Sequence, residues 1–328
     1  MAEAAETETL SVREAIRDTL HAELDRDEQV FLQGIDVASD GGTMGLTTGL
    51  AEAFPERVRN TPISEVAIVG SGLGAAMTGM RPVVEVMYSG FLGVSMDQLL
   101  NQVAKLRYMT DGSIDIPLTV RTQNTSGFNA AAQHSQALHQ LFTAIPGLKV
   151  VCISTPEDAK GLLRAAIRHD DPVLVFEHSA VYNREAEAPV GEYELPLGEA
   201  GVERSGEDVT VVATQMQLWN ALQAAETLAD QGVDVEVVSP RTFSPLDTET
   251  IAASARKTGR CVVVDETPLR GGTQSELATR ITEEAFFDLD FPVQRLGVDN
   301  VPVPFSPPLE DEVFPDPEDI AAAVRQLA

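Results

Sequence analysis

The segment TPISEVAIVGSGLGAAMTGMRPVVEVM, residues 61–87, admits two folds. Read from Val66, a β-like run leads into Gly70-x-Gly72-x-x-Ala75, the spacing of a dinucleotide-binding turn between a strand and a helix. Read from Thr61, a Thr-Pro start and Ser64 open one continuous helix over 65–79 whose glycines permit close packing, and PVVEVM follows as a strand. The dinucleotide reading also needs an acidic residue at the end of a second strand, about 20 residues on, to bind a ribose. Glu85 comes too early and lies within its strand. The continuous helix is the better reading, and a flavin- or NAD-binding protein becomes the weaker alternative.

Outward from this segment the same alternation recurs. VREAIRDTLHAELDRDE, opened by Ser11 as N-cap, has helical periodicity, and VFLQG reads as a short strand ended by Gly34. SMDQLLNQVAKLRYM follows as an amphipathic helix, then the strands IPLTVRT and LKVVCIS, the helix PEDAKGLLRAAIR and the strand PVLVFEH. Val- and Ile-rich strands without in/out alternation, separated by helices, specify a mostly parallel sheet covered on both faces. Residues 185–207, rich in Glu, Gly and Pro, read as a linker. Beyond it DVTVVAT, VDVEVVS, CVVVDE and FPVQRL alternate with helices, and DIAAAVRQL closes the chain. The fold class is therefore α/β in two domains, 1–184 and 208–328, as 328 residues would lead one to expect when single cores stop growing near about 250–300.

Composition excludes several functions. With 51 Asp+Glu against 23 Lys+Arg, a formal net charge of −28 repels phosphate backbones and anionic lipids, so neither nucleic acid nor a membrane surface is an expected partner. The acid is spread along the whole chain and lysine is confined to Lys105, Lys149, Lys160 and Lys257, which suits a halophilic cytoplasm rich in counter-ions. MAEAAETETL lacks the basic region of a signal peptide, and no apolar stretch reaches the ~18–20 residues of a membrane span, so a cytoplasmic location is expected. Cys152 and Cys261 read as core residues.

Two side chains draw attention. Glu65 stands in the first turn of a helix that is apolar nearly all round, where it is either an acid favoured by the helix dipole or, if buried, a group that must be paired, protonated or bonded to a ligand nitrogen. His134, in AAQHSQ, is either a hydrogen-bonded structural histidine or an acid/base. His139 lies five residues on rather than four, so the two do not make a metal pair on one helical face. Gly93-x-Ser95 is not completed into a nucleophile elbow, and neither a Walker A loop nor a zincin signature is present.

Taken together, VREAIRDTLHAELDRDEQVFLQG, ERVRNTPISEVAIVG, GMRPVVEVMYSGFLGVSMDQLLNQVAKLRYM, AAQHSQ, PGLKVV with TPEDAKGLLRAAIRHDDPV, RTFSPLDTETI and VVVDE with Gly271-Gly272 resemble one family. It is the β subunit of the thiamine diphosphate-dependent E1 component of 2-oxo acid dehydrogenase complexes, the pyruvate, branched-chain 2-oxo acid and acetoin group. The resemblance implies a thiamine diphosphate-binding pyrimidine domain followed by a transketolase C-terminal-like domain. It implies that Glu65 hydrogen-bonds N1′ of the aminopyrimidine, where proton donation favours the imino form that deprotonates the thiazolium C2. It places His134 on the side of the substrate or the incoming lipoyl group, and Ile63, Tyr88 and Phe91 beside the cofactor, with ordinary core packing of the aromatic pair as the alternative. Leu118, Ala166 and Asp171 fall where some members hold potassium, although His169 occupies a position often acidic there.

Two departures matter. Members commonly carry an acidic residue after the first Gly, whereas this chain reads Gly34-Ile35-Asp36, so either Asp36 supplies the charge or the pocket differs. The chain also lacks the Gly-Asp-Gly that opens the family's magnesium–diphosphate site. The resemblance assigns Mg2+ and diphosphate to an α subunit, in an α2β2 assembly that passes an acyl group to the lipoyl domain of E2. MYSGFLGVSMDQ and residues 121–123 lean slightly toward the acetoin branch. The C-terminal chain of a split transketolase and a non-catalytic scaffold subunit remain as other readings.

Overall fold

The computed structural model describes residues 6–39 and 41–328. Residues 1–5, half of the acidic leader read above, and residue 40 lie outside them. The chain forms two units, one made of the chain up to Asn124 with Leu141–Leu197, the other of Thr125–Gln140 with Gly198–Ala328.

In the first unit the strands are β1 (Thr7–Ser11), β2 (Val30–Gly34), β3 (Val58–Asn60), β4 (Arg81–Glu85), β5 (Thr119–Asn124), β6 (Lys149–Cys152), β7 (Val173–His178) and β8 (Glu185–Pro189). Six of them build a parallel sheet in the order β6-β7-β5-β4-β2-β3. β2, β5 and β7 are buried along their whole length, β5 even though its sequence TVRTQN is mostly polar. Ser11 caps the helix Val12–Arg26 in a reciprocal box with Glu14, and Thr155 does the same with Asp158 for the helix Pro156–Arg168. These two helices pack on each other around the fully buried Glu23, which accepts from Arg26 (2.8 Å), Arg164 (3.1 Å) and Arg168 (2.7 Å).

The segment 61–87 resolves as the continuous helix, Glu65–Ala76, followed by β4. Gly70, Gly72 and Ala75 all lie inside it, so no strand-to-helix turn exists for a dinucleotide. A Cβ on Gly72 would come within 2.6 Å of Val84 Cγ1, which shows why this helix carries glycine where it meets the sheet.

The second unit has β9 (Gly201–Arg204), β10 (Val209–Ala213), β11 (Val235–Ser239), β12 (Thr242–Ser244), β13 (Cys261–Pro268) and β14 (Gln294–Val298). Its sheet runs β14-β13-β10-β11-β9, parallel except for β9. Val211 and Val237 face the helices Gln215–Ala229 and Pro317–Leu327, whereas Val212 and Val238 face Thr248–Thr258 and Thr273–Ala285. Both cysteines are free and buried. No helix among the described residues is long and apolar enough to cross a membrane.

Three features differ from expectation. The stretch 185–207 is not a bare linker, because β8 pairs antiparallel with β1 and β9 adds to β11. The helix expected over 95–109 is broken into short turns, Ser89–Ser95, Gln98–Val103 and Leu106–Met109. The middle turn is wide, of π type, and it keeps Leu99 and Val103 buried while Leu100 points out. Residues Thr125–Gln140, which include His134, group in space with the second unit.

Candidate active site

Parallel sheets bind ligands beyond the carboxyl ends of their strands. Here Gly34 of β2 is in register with both Asn60 of β3 and Glu85 of β4, so these three strands leave the sheet at one level, while β5, with Arg121 opposite Glu85, runs on to Asn124. The segments that follow carry Ile35 and Asp36, Ile63 and Glu65, and Tyr88 and Phe91. The residues expected beside the cofactor thus lie on segments that follow the ends of β3 and β4.

Glu65 is only 8% exposed, and no hydrogen bond or ion pair from the described residues reaches its carboxylate. Ser64 gives the helix no side-chain cap. Its oxygens are not among the buried polar atoms that lack a partner, so the carboxylate reaches the surface at the head of the helix, where it is open to a ligand nitrogen. Its helix is fixed from below by Gln33, whose amide donates to Ile68 O and Ser71 Oγ, both at 2.8 Å. Ile63, two residues earlier, is 80% exposed, and Tyr88 and Phe91 are half-buried. Ile35 is half-buried and Asp36 is exposed with a left-handed backbone (φ 58°).

Directly under this edge lies a charged cluster that sequence reasoning missed. Arg121 Nε and Nη2 donate to the two Glu177 oxygens at 2.6 and 3.1 Å, and Nη1 donates to Glu85 Oε2 at 2.9 Å. Tyr182 donates its hydroxyl to Glu177 at 2.8 Å. All four side chains are buried. Glu85 and Glu177 gave a signal, since each ends or interrupts an apolar buried run, but Arg121 sits in the polar strand TVRTQN and gave none.

Burial pushes Glu85 up from 4.5 to about 6, against the pull of Arg121 and with the charge of Glu177 adding to the rise. An acid raised on folding binds its proton more tightly in the native chain, so its stabilising contribution is complete below the unfolded value and is lost as pH rises. Between pH 4.5 and about 6 the loss should amount to roughly 2 kcal/mol. Glu85→Gln is expected to remove this fall from the stability–pH curve, measured by urea unfolding at a series of pH values. Glu23 and Asp171 act in the opposite sense, being held low by arginine partners despite burial, and they withdraw stability only at more acid pH.

The expected potassium donors are already engaged. Leu118 O accepts from Val173 N at 3.0 Å and Ala166 O from His169 N at 3.3 Å. Asp171 is paired with Arg107 and, at 3.3 Å, with Lys149.

His134 ends the short helix Ala131–His134 and is half-buried. In the second unit its neighbour in sequence, His139, is fully buried, and ring Nε2 donates to Asp265 Oδ2 at 2.8 Å. Burial alone would raise Asp265, yet the His139 ring, together with hydrogen bonds from Thr273 and the Glu266 amide, holds it below the usual carboxylate range. The pair ties His139 to β13 inside the second unit.

Two α/β units in this order, with an unpartnered acid at the head of a helix on the sheet edge, define a transketolase-type chain. The family described as transketolase, pyrimidine binding domain, matches residues 8–184, and transketolase, C-terminal domain, matches 198–320. The chain is 44% identical to the β subunit of acetoin:2,6-dichlorophenolindophenol oxidoreductase of Cupriavidus necator, covering 97% of both. It is 42% identical to the 2-oxoisovalerate dehydrogenase β subunit of Bacillus subtilis, covering 97% of this chain and 98% of the relative. It is 40% identical to the mitochondrial pyruvate dehydrogenase E1 component subunit beta-1 of Arabidopsis thaliana, covering 98% and 90%. The chain belongs to the family of E1 β subunits of the acetoin, branched-chain 2-oxo acid and pyruvate dehydrogenase complexes. A solved split-gene transketolase, described as an inactive β4 tetramer, shares the fold with a TM-score of 0.78 at 23% identity, covering 97% and 98%.

Proposed function

We propose that this chain is the β half of a thiamine diphosphate-dependent E1, decarboxylating a 2-oxo acid oxidatively, or cleaving acetoin, with acyl transfer to the lipoyl group of an E2. The observation that carries the reading is Glu65, a mostly buried residue whose carboxylate has no partner among the described residues and stands open at the head of its helix. When bound, thiamine diphosphate supplies a nucleophilic thiazolium carbon and an electron sink. Glu65 would hold the proton at N1′ of the aminopyrimidine, and Ile63, Tyr88 and Phe91 would border that ring. His134 would move protons on the substrate or lipoyl side.

The diphosphate and its Mg2+ are assigned to an α chain, in an α2β2 assembly. Ile63, Val66, Val94, Leu100, Tyr108 and Met109, all exposed on the first unit, are candidates for the interface in that assembly. The identity to E1 β subunits favours this reading over a split transketolase, whose likeness is one of fold. The net charge of −28 supports a salt-rich cytoplasm as the setting.

Co-expression with an α-type chain should give thiamine-dependent reduction of an artificial electron acceptor, tested in high KCl across pyruvate, branched-chain 2-oxo acids and acetoin. The chain alone should be inactive. Turnover by the chain alone would overturn the half-site assignment.

A further inference from the structure

Resting on the reading of His134 as an acid/base, we infer that Glu310 is a positioning residue, a buried carboxylate that shapes the segment presenting His134. Glu310 belongs to the turn of helix Pro307–Asp311, far from His134 in sequence, and is 1% exposed. Its two oxygens accept from backbone amides of the second unit's inserted segment, Gly127 N at 3.2 Å and Asn129 N at 2.6 Å. A carboxylate gripping two alternate backbone amides is a strong, charge-assisted anchor.

The segment needs such an anchor. Gly127, Asn129 and Ala131 all have left-handed backbones, with φ of 73°, 55° and 62°. Gly127 adopts this freely, but Asn129 and Ala131 do so at a cost, and alanine has no polar side chain to offset it. Strain of this kind persists only where surroundings over-determine the backbone. Here Glu310 fixes the first two turns, and the amide of Ala130 donates to Ser135 Oγ at 3.2 Å across the third. The ends are tied as well, by Ser126, which donates to Glu266, and by His139 on Asp265. Between these ties Gly127 and Phe128 are exposed, and so are Ala132 and Gln133 of the short helix ending in His134. Without Glu310, two part-buried amides lose their acceptors and the left-handed turns lose the contact that holds them.

The test uses the assembled α2β2 enzyme and a double-mutant cycle of Glu310→Ala with His134→Asn. Glu310→Ala should lower turnover with lipoyl domain by about 10- to 100-fold, the scale of a small misplacement of a reacting group. In the His134→Asn background the same change should cost less than about twofold, because both act through one side chain. Hydrogen exchange of the 127–131 amides should accelerate in Glu310→Ala and stay unchanged in His134→Asn. Fully additive losses, or exchange unaltered by Glu310→Ala, would overturn the positioning role. Unchanged turnover in His134→Asn alone would instead remove the acid/base reading, and the exchange result would still decide whether Glu310 holds the segment. Should Glu310→Ala not assemble, Glu310→Gln, which keeps one acceptor oxygen, carries the same cycle with a smaller loss.

Discussion

Glu65→Gln in the α2β2 enzyme is expected to lose thiamine-dependent turnover by roughly 10²- to 10⁴-fold, the range over which a positioned proton donor contributes. The amide is nearly isosteric and can still lie at the head of the helix, but it has no acidic proton to share with a ring nitrogen. Assembly should be unaffected, because Glu65 makes no hydrogen bond or ion pair within the described chain. The only structural loss is a first-turn acid, worth about 0.3–1 kcal/mol at most from the helix dipole. Steady-state assays with an artificial electron acceptor, beside sedimentation of the variant complex, separate the two effects. Loss of turnover in an intact complex assigns the residue to chemistry. Undiminished turnover leaves a first-turn acid and favours the scaffold reading.

Arg121→Met should be the most destabilising substitution beneath the site. It removes the one cation between Glu85 and Glu177, both buried, and leaves two like charges facing each other without solvent. Breaking a buried pair in this way typically costs about 3–5 kcal/mol, because the partner is left uncompensated. Arg121 itself is held above its ordinary range, the two carboxylates outweighing the effect of its burial. Adding Glu85→Gln and Glu177→Gln to Arg121→Met should recover most of the loss, since the penalty lies in the orphaned charges rather than in the missing guanidinium. Urea unfolding of the single and triple variants measures both numbers. A loss below about 1 kcal/mol in the single variant, the scale of exposed ion pairs, would show that these charges are not what joins the strand ends.

The helix at Glu65 was legible because its signals are local. Thr61-Pro62 and Ser64 start it, and the missing acidic residue after a second strand removes the competing turn. The parallel sheet was legible from runs such as residues 173–178, apolar without alternation until Glu177. What escaped depends on contacts made far along the chain. β1 and β8 are short, polar and separated by most of the first unit, so neither shows a pattern until it meets the other. Arg121 could be recognised as buried only once Glu85 and Glu177 were known to flank it on adjacent strands. The segment around His134 joins the second unit through Glu266, Asp265 and Glu310, partners that sequence proximity does not announce. The roles of Glu65 and His134 came from family resemblance, and the geometry adds the reason a carboxyl group at position 65 has something to do.

The measurement nearest to that reason is the rate at which the C2 proton of bound thiamine diphosphate exchanges with deuterium, followed by acid quench and NMR in the assembled enzyme. If Glu65 activates the aminopyrimidine, the native complex should exchange far faster than free thiamine diphosphate, and Glu65→Gln should bring the bound rate back toward the free one. Equal, fast exchange in both complexes would contradict the account.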